Sequence, residues 1–238
     1  MADVLPGPAI IIAMTRMILP PGEPAAGPWR VQPVVQFVDR LRVAAAPPRD
    51  RPWVIAVDGR SGSGKSTLAR TVAAAVPGSV VVHTDDVAWH HSFFGWADLM
   101  VDGVLAQARR GESVAYRPPA WDARDRQGEI KVPAGCPLLI TEGVGAGRRE
   151  LAELIDTVVW VQSDVEAERR GIARDGGTAE AAAFWHEWMA EELPFQAQQR
   201  PWERADAVVS GTPHVSHDPA TAVVVAPAPL YASVKAEF

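Results

Sequence analysis

Ten consecutive residues, Asp58-Gly59-Arg60-Ser61-Gly62-Ser63-Gly64-Lys65-Ser66-Thr67, leave this chain few folds to choose from. Gly59, Gly64, Lys65 and Ser66 fall in register with the phosphate-binding pattern G-x-x-x-x-G-K-[ST]. An apolar run over residues 53–57 precedes the pattern and reads as a buried strand, and a helix-forming run over 66–76 follows it. Gly59, Gly62 and Gly64 permit backbone angles and close approaches that a Cβ would obstruct. The loop from Gly59 through Arg60, Ser61, Gly62, Ser63 and Gly64 to Lys65, Ser66 and Thr67 can then turn its amides inward. That makes an anion-binding concavity, to which the helix N-terminus adds partial positive charge. Lys65 is a point charge placed for the β- and γ-phosphates, and the Ser66 hydroxyl is placed to ligate Mg²⁺. The pattern calls for a nucleoside-triphosphate site without yet naming a reaction.

The rest of the composition bounds what surrounds that unit. A length of 238 residues suits one α/β domain with short extra segments at its ends. A net charge of −6 argues against a nucleic-acid partner, which usually demands a basic surface. The single cysteine, Cys136, excludes an intrachain disulfide and suits a reducing, cytoplasmic setting. No apolar run approaches 18 residues, so no membrane span is expected. Residues 1–30, rich in Pro and Gly, read as an irregular extension; 31–214 as the domain; and 215–238 as a tail holding at most one short strand, at 222–225.

Further apolar runs at 79–82, 137–141, 157–161 and 207–209 read as strands, and 31–46, 98–110 and 180–199 as helices. In open parallel sheets, ligands bind beyond the carboxyl ends of the strands. Asp85 and Asp86 stand at one such end. Asp85 is the candidate base that takes a hydroxyl proton in phosphoryl transfer, with Asp86 as its support or an outer metal ligand. On spacing alone they read equally as turn residues or as a helix N-cap. Glu142 ends another strand and is placed to hold a water on Mg²⁺. Arg170 and Arg174, at i and i+4 on one helix face, can clamp a triphosphate or can be a solvated face paired with acids. Trp89 belongs to an aromatic stretch, 87–96, that reads as packing or as a wall for a planar acceptor. The stripe Phe184, Trp185, Trp188, Met189 and Leu193 reads as core.

Together these pieces resemble the uridine kinase and phosphoribulokinase group of phosphate-loop kinases, from about Trp53 to Thr212. The carriers are GRSGSGKST; HTDD, aligning Asp85 with the family's strand-end base; TEG, at Glu142; RRGIARD, which resembles the lid pattern and covers Arg170, Arg174 and Asp175; and the alanine-aspartate strand ADAVV. The resemblance implies a three-layer fold with a mainly parallel central sheet between helices, ATP and Mg²⁺ as cofactors, a small-molecule acceptor, and self-association. The stretch YRPPAWDA stands where the family reads a pyrimidine: Tyr116 is kept, Trp121 and Ala123 fall near the places of the family's His and Arg, and Tyr116 and Trp121 are candidate acceptor contacts. RPPAWD and HHSFFGW resemble an actinobacterial-type subgroup.

The expected function is therefore ATP-dependent phosphorylation of a hydroxyl on a nucleoside or similar metabolite. Lys65, Asp85, Arg170 and Arg174 form the catalytic set, and Ser66, Glu142 and Asp86 the metal set. A nucleoside-monophosphate kinase and a non-kinase ATPase remain as alternatives. The chain contains no Asn, hence no N-K-x-D guanine-reading motif, which argues against a switch GTPase.

Overall fold

The computed structural model describes residues 17–228. Its centre is three strands buried over their whole length: β2 (Trp53–Gly59), β6 (Leu138–Glu142) and β7 (Thr157–Gln162). Burial on both faces is what a helix-covered parallel sheet demands, so these runs are continuously apolar rather than alternating. β2 lies between β6 and β7 and runs parallel to both. β3 (Val80–His83) adds in parallel to β6, and β8 (Ala207–Ser210) in parallel to β7. β9 (Ala222–Ala226) pairs antiparallel with β8, and β1 (Arg30–Pro33) antiparallel with β9. The order β1-β9-β8-β7-β2-β6-β3 is a mainly parallel sheet, as the family resemblance implies. β4 (Val114–Tyr116) and β5 (Ile130–Val132) form a separate ribbon.

Pleating sends alternate side chains of β2 to opposite faces. Trp53, Ile55 and Val57 pack with Phe37, Val38 and Leu41 of α1 (Val34–Ala45) and with Leu68 and Val72 of α2 (Lys65–Ala75). Val54 packs on the other face with Leu139, Leu151, Met100 and Leu105. The last two belong to a helix that runs as α4 (Ala97–Met100), a π segment (Val101–Leu105) and α5 (Ala106–Arg109). The Tyr116 ring lies against Gly103 in the π segment, where a Cβ would collide with it.

Residues on both sides of 31–214 contribute to this body. Trp29 shares a core cluster with Trp160 and Trp202. The buried Glu23 carboxylate accepts hydrogen bonds from Trp160 Nε1 at 2.7 Å and Gln162 Nε2 at 2.8 Å. β9 sits inside the sheet. The remainder of the expected extension and tail, 1–16 and 229–238, lies outside the described residues. No helix among the described residues is long and apolar enough to cross a membrane.

The sheet places three strand ends side by side. β2 runs into the phosphate loop, β3 into α3 (Thr84–Ala88), and β6 stops at Glu142. Beyond β7 come α7 (Ala167–Arg174) and the long α8 (Ala179–Gln199), whose start is capped by Thr178 Oγ1 accepting from the Ala181 amide at 3.1 Å.

Candidate active site

The phosphate loop spans the last residue of β2 to the first turn of α2. Gly62 has φ +74°, and a Cβ there would collide with the Ala167 carbonyl oxygen, so the loop's tightest bend needs glycine. Asp58 anchors the loop from beneath. Its carboxylate is fully buried; Oδ1 accepts from the amides of Gly59 at 2.7 Å and Gly145 at 2.9 Å, and Oδ2 from that of Gly147 at 2.9 Å. Burial pushes this carboxyl up to about 6, against the pull of those three amides and of the Lys65 charge. One side chain therefore ties the start of the phosphate loop to the loop that follows β6.

Several of the loop's polar groups are engaged within the protein, while Arg60 Nε and Ser63 Oγ are buried without a hydrogen-bond partner. Lys65 is buried and donates Nζ to the Arg60 carbonyl at 2.8 Å. The Arg60 guanidinium turns away and donates to the Asp164 carbonyl at 3.1 Å. The Ser61 amide donates at 3.0 Å to Oε1 of Glu192, a fully buried residue of α8. Glu192 Oε2 accepts from Trp188 Nε1 at 2.6 Å, and the same indole N–H lies 2.8 Å from Ser61 Oγ. Ser63 is fully buried beneath the loop, where the Gly211 backbone meets its carbonyl.

The strand ends bring an acidic group to the mouth of the loop. Ser66 Oγ donates to Glu142 Oε1 at 3.2 Å, while Glu142 Oε2 lies 2.6 Å from His83 Nδ1. Burial alone would raise the Glu142 carboxyl, but His83, Lys65 and Ser66 hold it below its ordinary range. The hydrogen bond to Glu142 raises His83. Asp85 is raised, first by burial and then by the neighbouring Glu142 charge, with Lys65 pulling the other way. Among the described residues no group of three or more His, Cys, Asp or Glu side chains is arranged to hold a metal by itself. A hydroxyl and a carboxylate in contact do suit Mg²⁺, which takes one or two protein oxygens and leaves the rest to phosphates and water.

A cavity of about 540 Å³ opens over this group. Of the residues singled out in the sequence, Ser61, Gly62, Gly64, Lys65, Ser66, Thr67, Asp85, Trp89, Glu142 and Arg174 line it. The others are placed elsewhere. Gly59, Arg60 and Ser63 lie under the loop and do not line the cavity. Asp86 is turned toward Arg126, 2.5 Å away, and its carbonyl accepts from the buried Trp121 indole at 2.9 Å. Trp121 is held further by the Arg126 guanidinium, 3.7 Å from its ring centroid. Tyr116 packs on Gly103, and Arg170 is exposed and paired with Asp164 at 3.0 Å. Neither half of the expected arginine pair thus meets the other over the cavity: only Arg174 reaches it, paired with Asp175 at 2.9 Å.

Sequence reading missed part of the site. Phe184, Trp185 and Trp188 line the cavity, Trp185 while buried like Met189, and Leu193 is exposed. Phe93 lines it too, its ring centroid 4.9 Å from that of Trp188. Asp58, His83 and Glu192 hold the site together without having been singled out. A carboxylate inside an apolar strand, at Asp58, was the one signal available beforehand, because such a charge must find partners.

No family model matches the chain, and no curated protein matches it by sequence. Solved structures do. A protein from Silicibacter sp. TM1040 described as a "putative fructose transport system kinase" superposes with a TM-score of 0.51 at 20% identity, over 72% of this chain and 95% of that one. A "possible uridine kinase" from Bacillus stearothermophilus gives 0.41 at 18% identity, over 74% of this chain and 96% of that one. The YGR205w protein gives 0.48 at 11%, over 75% and 93%. The first of these likenesses shows the fold alone: this chain shares with that structure a mainly parallel sheet flanked by helices.

Proposed function

We propose that the protein is an ATP-dependent kinase that moves a γ-phosphoryl group onto a hydroxyl of a small metabolite, a nucleoside or similar molecule. The observation that carries this reading is that Asp85 lines the same cavity as Lys65, Ser66 and Thr67. A carboxylate beside a phosphate-loop lysine is what phosphoryl transfer to an alcohol needs and what bare nucleotide binding does not. The loop amides cradle the phosphates, and Lys65 exchanges the Arg60 carbonyl for phosphate oxygen. Mg²⁺, when bound, would neutralise phosphate charge, and Ser66 and Glu142 are the side chains that would hold it. Asp85 accepts the acceptor's hydroxyl proton while that oxygen bonds to the γ-phosphorus. The bond from phosphorus to the β–γ bridging oxygen breaks, and its electron pair leaves with ADP. Arg174 supplies positive charge at the rim as the phosphoryl group passes.

The test is Asp85→Asn. It keeps the affinity for ATP with Mg²⁺ within about two-fold and lowers phosphoryl transfer by roughly 10²- to 10⁴-fold. Transfer is read by mass spectrometry as a phosphoryl group added to members of a nucleoside, sugar and monophosphate panel. Native-rate transfer by the variant would remove Asp85 from the reaction.

A further inference from the structure

We propose that residues 17–26, part of what the sequence reads as an irregular extension, are a strap that sets the shape of the phosphate loop, and that Glu23 is a positioning residue for nucleotide binding. The inference rests on the kinase reading only for naming ATP as the ligand of that loop.

The strap grips the turn after β7 at two points. β7 ends at Gln162, and both polar atoms of its side chain go to the strap. Nε2 donates to Glu23 Oε1 at 2.8 Å and to the Pro24 carbonyl at 2.9 Å, and Oε1 accepts from the Ala26 amide at 2.9 Å. Three residues on, the Val165 amide donates to the Ile18 carbonyl at 2.9 Å. Asp164 lies between these anchored residues, and its carbonyl accepts from the Arg60 guanidinium at 3.1 Å. The Arg60 carbonyl in turn accepts from Lys65 Nζ at 2.8 Å and from the Ser63 amide at 3.1 Å. The same turn leads to Ala167, whose carbonyl stands where a Cβ on Gly62 would be. The phosphate loop therefore leans on residues 164–167, and the strap holds the start of that stretch. Glu23 and Gln162 are 139 residues apart along the chain, so no local preference orders their contact. Met17 and Ala26 pack on the cluster of Trp160 and Trp202, which pins the strap at both ends.

Stability does not account for a carboxylate here. Glu23 is buried, and its Oε2 has no hydrogen-bond partner. Burial pushes its carboxyl up, against the pull of the Gln162 and Trp160 donors and of the Arg60 charge. A buried charge with an unmatched oxygen costs free energy, so the group is not there to hold the fold together. What it supplies is a fixed place for Gln162 and a negative charge that the buried Arg60 feels. Both act on the residue whose carbonyl holds Lys65.

The experiment is titration calorimetry of the full chain with ATP and Mg²⁺. Glu23→Ala weakens binding by about 5- to 50-fold, and Glu23→Gln, which keeps an oxygen for the Gln162 and Trp160 donors, weakens it less. Trp29→Leu is the control: it opens the same core cluster and belongs to none of the contacts above. It leaves the affinity within about two-fold even where urea denaturation shows an equal or greater loss of stability. Arg60→Ala weakens binding too, and in that background Glu23→Ala adds less than about two-fold, because the strap acts through Arg60. The inference is overturned if Glu23→Ala binds ATP like wild type, if Glu23→Gln is no milder, if Trp29→Leu weakens binding as much, or if the Glu23 and Arg60 effects add. If Glu23→Ala does not fold, Glu23→Gln alone and with Arg60→Ala makes the same comparison. Wild-type protein that takes up no ATP strikes the kinase reading instead, and hydrogen exchange of the unliganded protein then decides the strap. Amides of residues 60–65 exchange about 10-fold faster in Glu23→Ala than in wild type or Trp29→Leu. Equal rates in the three proteins would overturn it.

Discussion

Asp58 offers the sharpest test of how the loop is built. Its carboxyl ordinarily titrates near 3.8 and in the fold near 6, so the folded protein holds this proton more tightly than the unfolded chain. Protonation therefore favours folding. The stabilising contribution is complete below about pH 4 and is lost as pH rises through about 6, an overall loss of about 3 kcal/mol. About 2 kcal/mol of that falls between pH 4.5 and 7.5. Asp58→Asn keeps an oxygen for the Gly59 and Gly145 amides but sets an N–H against the Gly147 amide, at a cost of about 1–3 kcal/mol. Because asparagine does not ionise, the variant lacks the wild-type slope. Urea denaturation at a series of pH values reads this directly: the stability of wild type relative to Asp58→Asn falls by about 2 kcal/mol from pH 4.5 to 7.5. Parallel profiles would show that this carboxyl does not sit, buried and ionised, under the loop. Asp58→Ala, which leaves all three amides without the carboxylate, is the harsher variant and loosens the loop at every pH.

Two further perturbations separate residues that the sequence alone treats alike. Arg170→Ala removes an exposed pair worth at most about 1 kcal/mol and leaves turnover unchanged, whereas Arg174→Ala lowers kcat by about 10- to 100-fold; equal losses in a steady-state assay would contradict the placement of α7. Glu192→Gln sets an amide N–H against either the Ser61 N–H or the Trp188 indole N–H. It costs about 1–3 kcal/mol in urea denaturation and shifts tryptophan emission; a variant with unchanged emission and stability would mean that α8 does not grip the loop.

The fold was legible wherever the information was local. Four of the strands announced themselves as apolar runs because they are buried on both faces, and the glycine pattern fixed what lies between β2 and α2. β9 is as apolar as these, but its antiparallel place between β8 and β1 is a tertiary fact that no window of sequence contains. The site was legible where a strand end dictates position, as at Asp85 and Glu142. It was not legible where side-chain direction decides. An aromatic stripe on α8 looks the same whether it faces a core or a cavity, and only the packing of α8 over the loop sends Trp188 to the cavity and Met189 inward. Spacing of i and i+4 put Arg170 and Arg174 on one face, yet Asp164 takes the first and the cavity receives the second. Tyr116 and Trp121 occupy positions that the family resemblance points to, but the Tyr116 ring packs on Gly103, the Trp121 indole donates to the Asp86 carbonyl, and neither lines the cavity.

The central claim, that the amides and lysine of the loop after β2 bind a nucleoside triphosphate with Mg²⁺, is tested most directly by titration calorimetry of wild type and Lys65→Ala with ATP, with and without Mg²⁺. The account predicts saturable, Mg²⁺-dependent binding by wild type, weakened about 10-fold or more in Lys65→Ala because a buried ammonium that reaches the phosphates is gone. Folded wild-type protein that takes up neither ATP nor GTP in a Mg²⁺-dependent way, or a Lys65→Ala variant that binds as tightly as wild type, would contradict it.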